Sequence, residues 1–303
     1  MSVQNDMTDS PRREPLESET RPMYWSVRRE LWENRSIYLA PLAVAAIFFF
    51  GFLISAISLP HRMRTISTLE PAKQCVMVAK PYDVAATMLI LTSILVGFFY
   101  CLDALHGERR DRSILFWKSL PVSDRTTVLS KAGIPLVVLP LISLAIIVPL
   151  QIIMLMVSTA ALMGQSSALT MLWTNVNLFS STLTLVYGLI VIALWHAPIY
   201  GWLLLISAWA KRSAILWAVL PIFGIAMVEK MAFGSAHFIG LVKYRLFGGF
   251  GEAFVFQAKG HIPNDPELTP WRFLCTPGLW LGLIFAAAFI AAAIRLRRNR
   301  EPI

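Results

Sequence analysis

Charge is what this chain has least of. Only 15% of its 303 residues are Asp, Glu, Lys or Arg, and the 79 residues from Ala132 to Ala210 contain none. A charged side chain at mid-bilayer costs about 2.5 to 3.5 kcal/mol on insertion scales, so charge-free runs are where a chain can cross a membrane. Cysteine is also scarce, with three residues and no Cys-x-x-Cys pair, and the five histidines (His61, His106, His196, His237, His261) lack ligand spacing. That pattern argues against a metal centre. Cys101 falls inside an apolar run, while Cys75 and Cys275 fall on one side of the membrane, where they are either bridged or two separate small residues. No Gly-x-x-x-x-Gly-Lys-[Ser/Thr] segment is present to wrap nucleotide phosphates, so the chain cannot hydrolyse ATP alone.

Apolar residues dominate what remains, at 56% of the chain. A membrane-crossing helix needs about 20 of them in succession. The expected fold is all-α: a single polytopic membrane domain, residues 1–303, with six spans at about 37–59, 84–102, 133–157, 178–208, 213–229 and 275–294. The polar middle of the charge-free stretch, Ser158 to Asn177, separates spans three and four. The first 36 residues hold eight charged side chains between Arg12 and Arg29 and no apolar core. This excludes a cleaved signal peptide and reads as a cytosolic tail, disordered over 1–21.

Six spans place the two ends, 103–131 and 211–212 on one side, with 18 of the 27 Lys and Arg residues. The positive-inside rule puts that side, and both termini, in the cytosol. A third helix within the 79-residue stretch would send Lys211, Arg212 and the Arg-rich C-terminus outside. The +9 net charge follows from the same bias; its basic residues are scattered at membrane boundaries, so no nucleic-acid partner is expected.

Between the spans, residues 22–35 have helical periodicity, with Tyr24, Trp25, Val27, Leu31 and Trp32 on one arc and Arg29, Glu30 and Glu33 opposite. This predicts an interfacial helix with Arg28 snorkelling from the apolar arc. Residues 60–83 read as a short polar loop. Met231 to Val242 is too short to cross and reads as re-entrant; a Gly-rich turn (Gly248, Gly249, Gly251) and a polar loop at 257–271 follow. Prolines at 41, 135, 140, 149, 198 and 221 interrupt the spans and can kink them.

Few residues inside the spans can titrate. Ion-coupled carriers bury ionisable groups along their pathway, whereas here Asp103 sits at a span end and only His196 lies within. His196, next to Pro198, reads first as a neutral imidazole bonded to the carbonyl that Pro198 frees, and second as a contact on a transport pathway.

The most informative segment is the charged, aromatic-bearing island 107–124. Glu108, Arg109, Arg110, Asp111 and Arg112 form a charged turn, and Ser113-Ile114-Leu115-Phe116-Trp117-Lys118-Ser119-Leu120 a short helix. Pro121 stops that helix, and Ser123 or Asp124 caps the next. Ile114, Leu115, Phe116, Trp117 and Leu120 point nearly all round a helical wheel. That suits a helix wedged between two partners, and an apolar patch of this kind marks an interaction site.

Residues 108–123 closely resemble the cytosolic coupling segment of bacterial type-2 ATP-binding-cassette exporter permeases. The match lies in Glu108, Arg109, Ser113, Leu120, Pro121 and Ser123, with Arg112 where many members carry Gly. The resemblance implies a membrane-spanning permease subunit in the bacterial inner membrane that forms a homodimer. It further implies two separate cytosolic ATPase subunits that hold the ATP and Mg, no cofactor in this chain, and walls from spans two and five. The scarcity of charge suggests an apolar or amphipathic cargo. An intramembrane enzyme and an ATPase-independent channel or scaffold are the alternatives.

Overall fold

The structure is a computed structural model and describes residues 22–111, 123–255 and 267–299. It is an all-α polytopic membrane protein, with six helices long and apolar enough to cross a bilayer. Helix α1 (Pro22–Glu33) precedes α2 (Ser36–Ile57), the first span. After the short α3 (Leu59–Ile66), the second span is carried by α4 (Pro71–Asp103), to which α5 (His106–Arg110) is appended. The third is built from α6 (Asp124–Gly133), a π-helical turn at Ile134–Val138 and α7 (Leu139–Ala161). Helices α8 (Ser166–Asn175) and α9 (Leu178–Trp209) make the fourth, α10 (Ala214–Phe233) the fifth. Helix α11 (His237–Ala253), the strands β1 (Phe254–Val255) and β2 (Glu267–Leu268), and α12 (Pro270–Cys275) lead to the last span, α13 (Pro277–Asn299).

Several boundaries differ from the expectation, for local reasons. Residues 60–83 are mostly helical: α3 buries Leu59 and Met63 and turns Arg62 and Arg64 outward, and Pro71 starts α4 more than ten residues before the charge-free run. Proline suits a first turn because its missing N–H has no intrahelical partner there anyway. The π-helical turn holds Pro135 and meets Pro140 at the start of α7, so the bonds these prolines remove are absorbed in one widened turn. The glycines expected as a turn, Gly248, Gly249 and Gly251, are instead helical, in the last turns of α11. Residues 1–21 and most of the loop 257–271 lie outside the described residues.

Helix α9 is the hub. In the fourth span 67% of the apolar window is buried, against 11% in the fifth, and α9 makes its most extensive contact with α13. Small residues let the two backbones approach. A Cβ on Gly201 would stand 3.2 Å from the Ala286 carbonyl oxygen and 3.3 Å from the Phe289 Cβ. Elsewhere the spans are joined by buried hydroxyl pairs, Tyr82 to Ser158 at 2.9 Å and Ser93 to Ser143 at 2.6 Å.

The run expected to be re-entrant is divided between the end of α10 and the start of α11, and this hairpin has its own device. Gly234, in the left-handed conformation at φ 64°, ends α10. From that last turn the Glu229 carboxylate accepts from Ser235 Oγ (2.7 Å) and from the backbone N–H groups of His237 (2.7 Å) and Phe238 (2.8 Å). It thus caps α11 by filling donors that a helix start leaves open. Among the described residues no disulfide joins Cys75 to Cys275.

Gly201→Val should overpack the contact between α9 and α13 and cost about 1–3 kcal/mol. A thermal-unfolding scan of the purified chain in detergent should show this as a drop of several degrees in the midpoint; an unchanged midpoint would contradict the close approach.

Candidate functional site

At the end of the bundle where α1 and α13 both pack on α6, six charged side chains of the described residues, from four helices, meet in a largely buried cluster. Its centre is Glu30 of α1, fully buried, with Lys131 of α6 only 2% exposed. Lys131 Nζ lies 2.8 Å from Glu30 Oε1 and 3.1 Å from Glu108 Oε1 of α5, so one ammonium bridges two carboxylates. Arg29 does the same, its Nη2 at 2.6 Å from Glu30 Oε1 and 3.3 Å from Glu108 Oε1. Arg297 of α13 extends the chain: Nη1 pairs with Glu108 Oε2, and Nε donates to Asp124 Oδ1 at 3.1 Å. Tyr100 of α4 donates from Oη to Glu30 Oε2 at 2.8 Å. Among the described residues three carboxylates and three cations meet here, with the Glu33 carboxylate at the edge, 3.7 Å from Arg29 Nε.

Pairing each charge with an opposite one is what makes the burial tolerable. Taking a charge out of water costs several kcal/mol, which attraction repays only when geometry and hydrogen bonding are good. Burial acts against ionisation of Glu30, but the Lys131 ammonium and the Arg29 guanidinium outweigh it and hold the carboxyl below its ordinary value of 4.5. Farther from the cluster's centre, at Glu33, burial prevails and the carboxyl is raised.

Helix α5 is anchored a second time. Ser207 Oγ of α9 accepts from the backbone N–H groups of Leu105 (3.0 Å) and His106 (2.9 Å), closing the start of α5. In return Arg109 Nη1 donates to the carbonyls of Ala208 (2.8 Å) and Ala210 (3.2 Å), at the end of α9. A cation at a helix C-terminus answers both the open carbonyls and the helix dipole. On the far side of the island Ser123 Oγ accepts from the Thr126 N–H at 3.1 Å and caps α6.

Of the residues expected to contact a partner, Glu108, Arg109 and Ser123 are described. They sit at the two ends of the island and act as its anchors. Arg112, Ser113, Ile114, Leu115, Phe116, Trp117, Leu120 and Pro121 lie outside the described residues. Glu108 and Arg109 are only 8% and 4% exposed, so both face inward, toward the membrane body.

Orientation was the main thing the sequence misjudged. Arg29 and Glu30 belong to the arc expected to face water, yet α1 buries Ser26 and Glu30 while Tyr24, Trp25 and Trp32 stay more than half exposed. The aromatic face is thus free to meet headgroups, and Arg28 lies over the rings of Trp25 (5.3 Å) and Trp32 (4.7 Å). In sequence Asp124 reads only as a helix cap, and Lys131 and Arg297 look like ordinary boundary charges, whose one sequence signal is position near a span end.

His196 is 4% exposed. Its Nδ1 lies 3.0 Å from the Ile192 carbonyl oxygen, not from the carbonyl of Leu194 that Pro198 leaves unbonded. Phe98 and Tyr200 flank it.

The sequence also missed Arg245. It turns back from α11 into the bundle, 4.6 Å above the Trp195 ring, donates from Nη1 to the Gly278 carbonyl at 2.9 Å, and lies against Gly282. Neither its Nε nor its Nη2 has a hydrogen-bond partner among the described residues. No family model, curated protein or solved structure matches the chain.

Glu30→Met or Lys131→Met alone should each destabilise the chain by about 3–5 kcal/mol, because a buried charge loses its partner, whereas the double replacement should recover most of that loss. Additive losses in denaturant titrations would refute the coupling. Glu30 has a lowered carboxyl in the folded state, so its contribution is present above about pH 4.5 and is lost as pH falls through the folded value. Thermal midpoints measured down a pH series should show that loss in the native chain and a weaker one in Glu30→Gln.

Proposed function

We propose that the chain is the membrane-spanning subunit of an ATP-driven exporter, coupled through residues 107–124 to separate cytosolic ATPase subunits. The observation that carries this reading is the anchoring of the island. One end is tied by Glu108 and Arg109 to α1, α6, α9 and α13; at the other, Ser123 caps α6. A push on the island would therefore reach three spans and the interfacial helix together, which is what transmission from an external motor requires. The resemblance of 108–123 to a coupling segment supplies the kind of motor.

In this reading the anchored end faces the cytosol, consistent with the Lys and Arg bias, and the membrane is the bacterial inner membrane. Nucleotide and Mg bind the partner. ATPase closure would displace the segment from Ile114 to Leu120, and the helix pack would pass between two arrangements around the fixed cluster. The fifth span, α10, is the least buried of the six, which leaves a long apolar face for a second permease copy. A pathway between two such copies, walled by spans two and five, would suit an apolar or amphipathic cargo.

The test is copurification. The tagged chain, taken from its native host in mild detergent, should carry an ATPase of the binding-cassette class. Phe116→Asp with Trp117→Asp should reduce the recovered ATPase activity at least tenfold while leaving the permease folded. Absence of an ATPase, or full recovery with the double variant, would overturn the proposal.

A further inference from the structure

The opposite end of the bundle holds a groove that the exporter reading does not use. It has a volume of about 500 Å³ and is bounded by Ile47, Phe48, Gly51 and Phe52 of α2, by Met77, Pro81 and Val84 of α4, and by Met154 of α7. Its rim holds Ser55, Arg62 and Lys80. Among the described residues neither Arg62 nor Lys80 has a carboxylate within ion-pair distance; the only side-chain bond of Arg62 is Nη1 to Ser55 Oγ at 2.8 Å. Apolar walls below two cations without counter-ions are the complement of an anionic amphiphile.

We propose that this groove is a binding site for an anionic phospholipid of the surrounding bilayer, its phosphate between Arg62 and Lys80 and one acyl chain along α2. Dimensions agree with a single leaflet. From Ser55 down to Ile47 is eight residues of helix, about 12 Å, close to half of a hydrocarbon core about 30 Å thick. The floor is open because Gly51 has no side chain, and a Cβ there would meet nothing within 4 Å. Pro81 lines the same groove and has no N–H to give to the carbonyl of Met77 four residues back. That leaves an acceptor for a headgroup hydroxyl beside the two cations.

Two cations at the mouth of an apolar groove attract a net negative headgroup more than a zwitterionic one, so the pair should favour phosphatidylglycerol over phosphatidylcholine. Native mass spectrometry of the full chain in detergent, titrated with each lipid, reads this directly. Phosphatidylglycerol should be retained about tenfold better than phosphatidylcholine, and Arg62→Gln with Lys80→Gln should erase the difference. Gly51→Leu, whose Cβ has no protein atom within 4 Å, should weaken phosphatidylglycerol retention severalfold with both cations intact. Arg64→Gln with Lys73→Gln, nearby charges outside the groove, should change nothing. Equal retention of the two lipids, undiminished retention in the groove variants, or an equal loss in the control pair would each overturn the site.

Discussion

Charges hidden from water are costly, and the charged end of this bundle is organised around meeting that cost. Glu30, Glu108 and Asp124 face Arg29, Lys131 and Arg297, and α1 and α6 each bring one acid and one base to the cluster. Helix α5 brings only an acid and α13 only a base to the cluster. Each must dock with the others present, because a partial assembly would bury a charge without its counter-charge. Helix α1, the two helices flanking the island and the last span therefore form one unit.

That unit contrasts with the rest of the molecule. Helix α10 touches the bundle along one side, and the hairpin it makes with α11 is held by the Glu229 cap and by the Arg245 guanidinium set against Trp195. Polar contacts of this sort are directional and few. They can be exchanged as a set without disturbing a packed core, unlike the interdigitated contact of α9 with α13.

The spans were legible because the solvent sets them. Lack of charge over about 20 residues has one cause in a membrane chain, and the fourth span, expected at 178–208, corresponds to α9 at Leu178–Trp209. Helix ends were less legible: α4 begins in polar sequence at Pro71, where length is decided by packing of α3 and α4 against each other. The cluster itself was almost invisible. Lys131 and Arg297 carry the same local signature as any lysine or arginine at a membrane boundary, and only a docked partner distinguishes a buried one.

Two kinds of information are thus separated in this protein. By itself the sequence determined the number of spans, the side that carries most of the basic residues, and the island between spans two and three, since each depends on composition and order along one chain. Only the tertiary structure decided that α1 turns its polar face inward, that Glu108 and Arg109 point into the bundle, and that Arg245 folds back onto Trp195. A helix with two unlike faces can dock either way. Which face is buried depends on the charges contributed by helices far away in sequence, and those come together only in the folded chain.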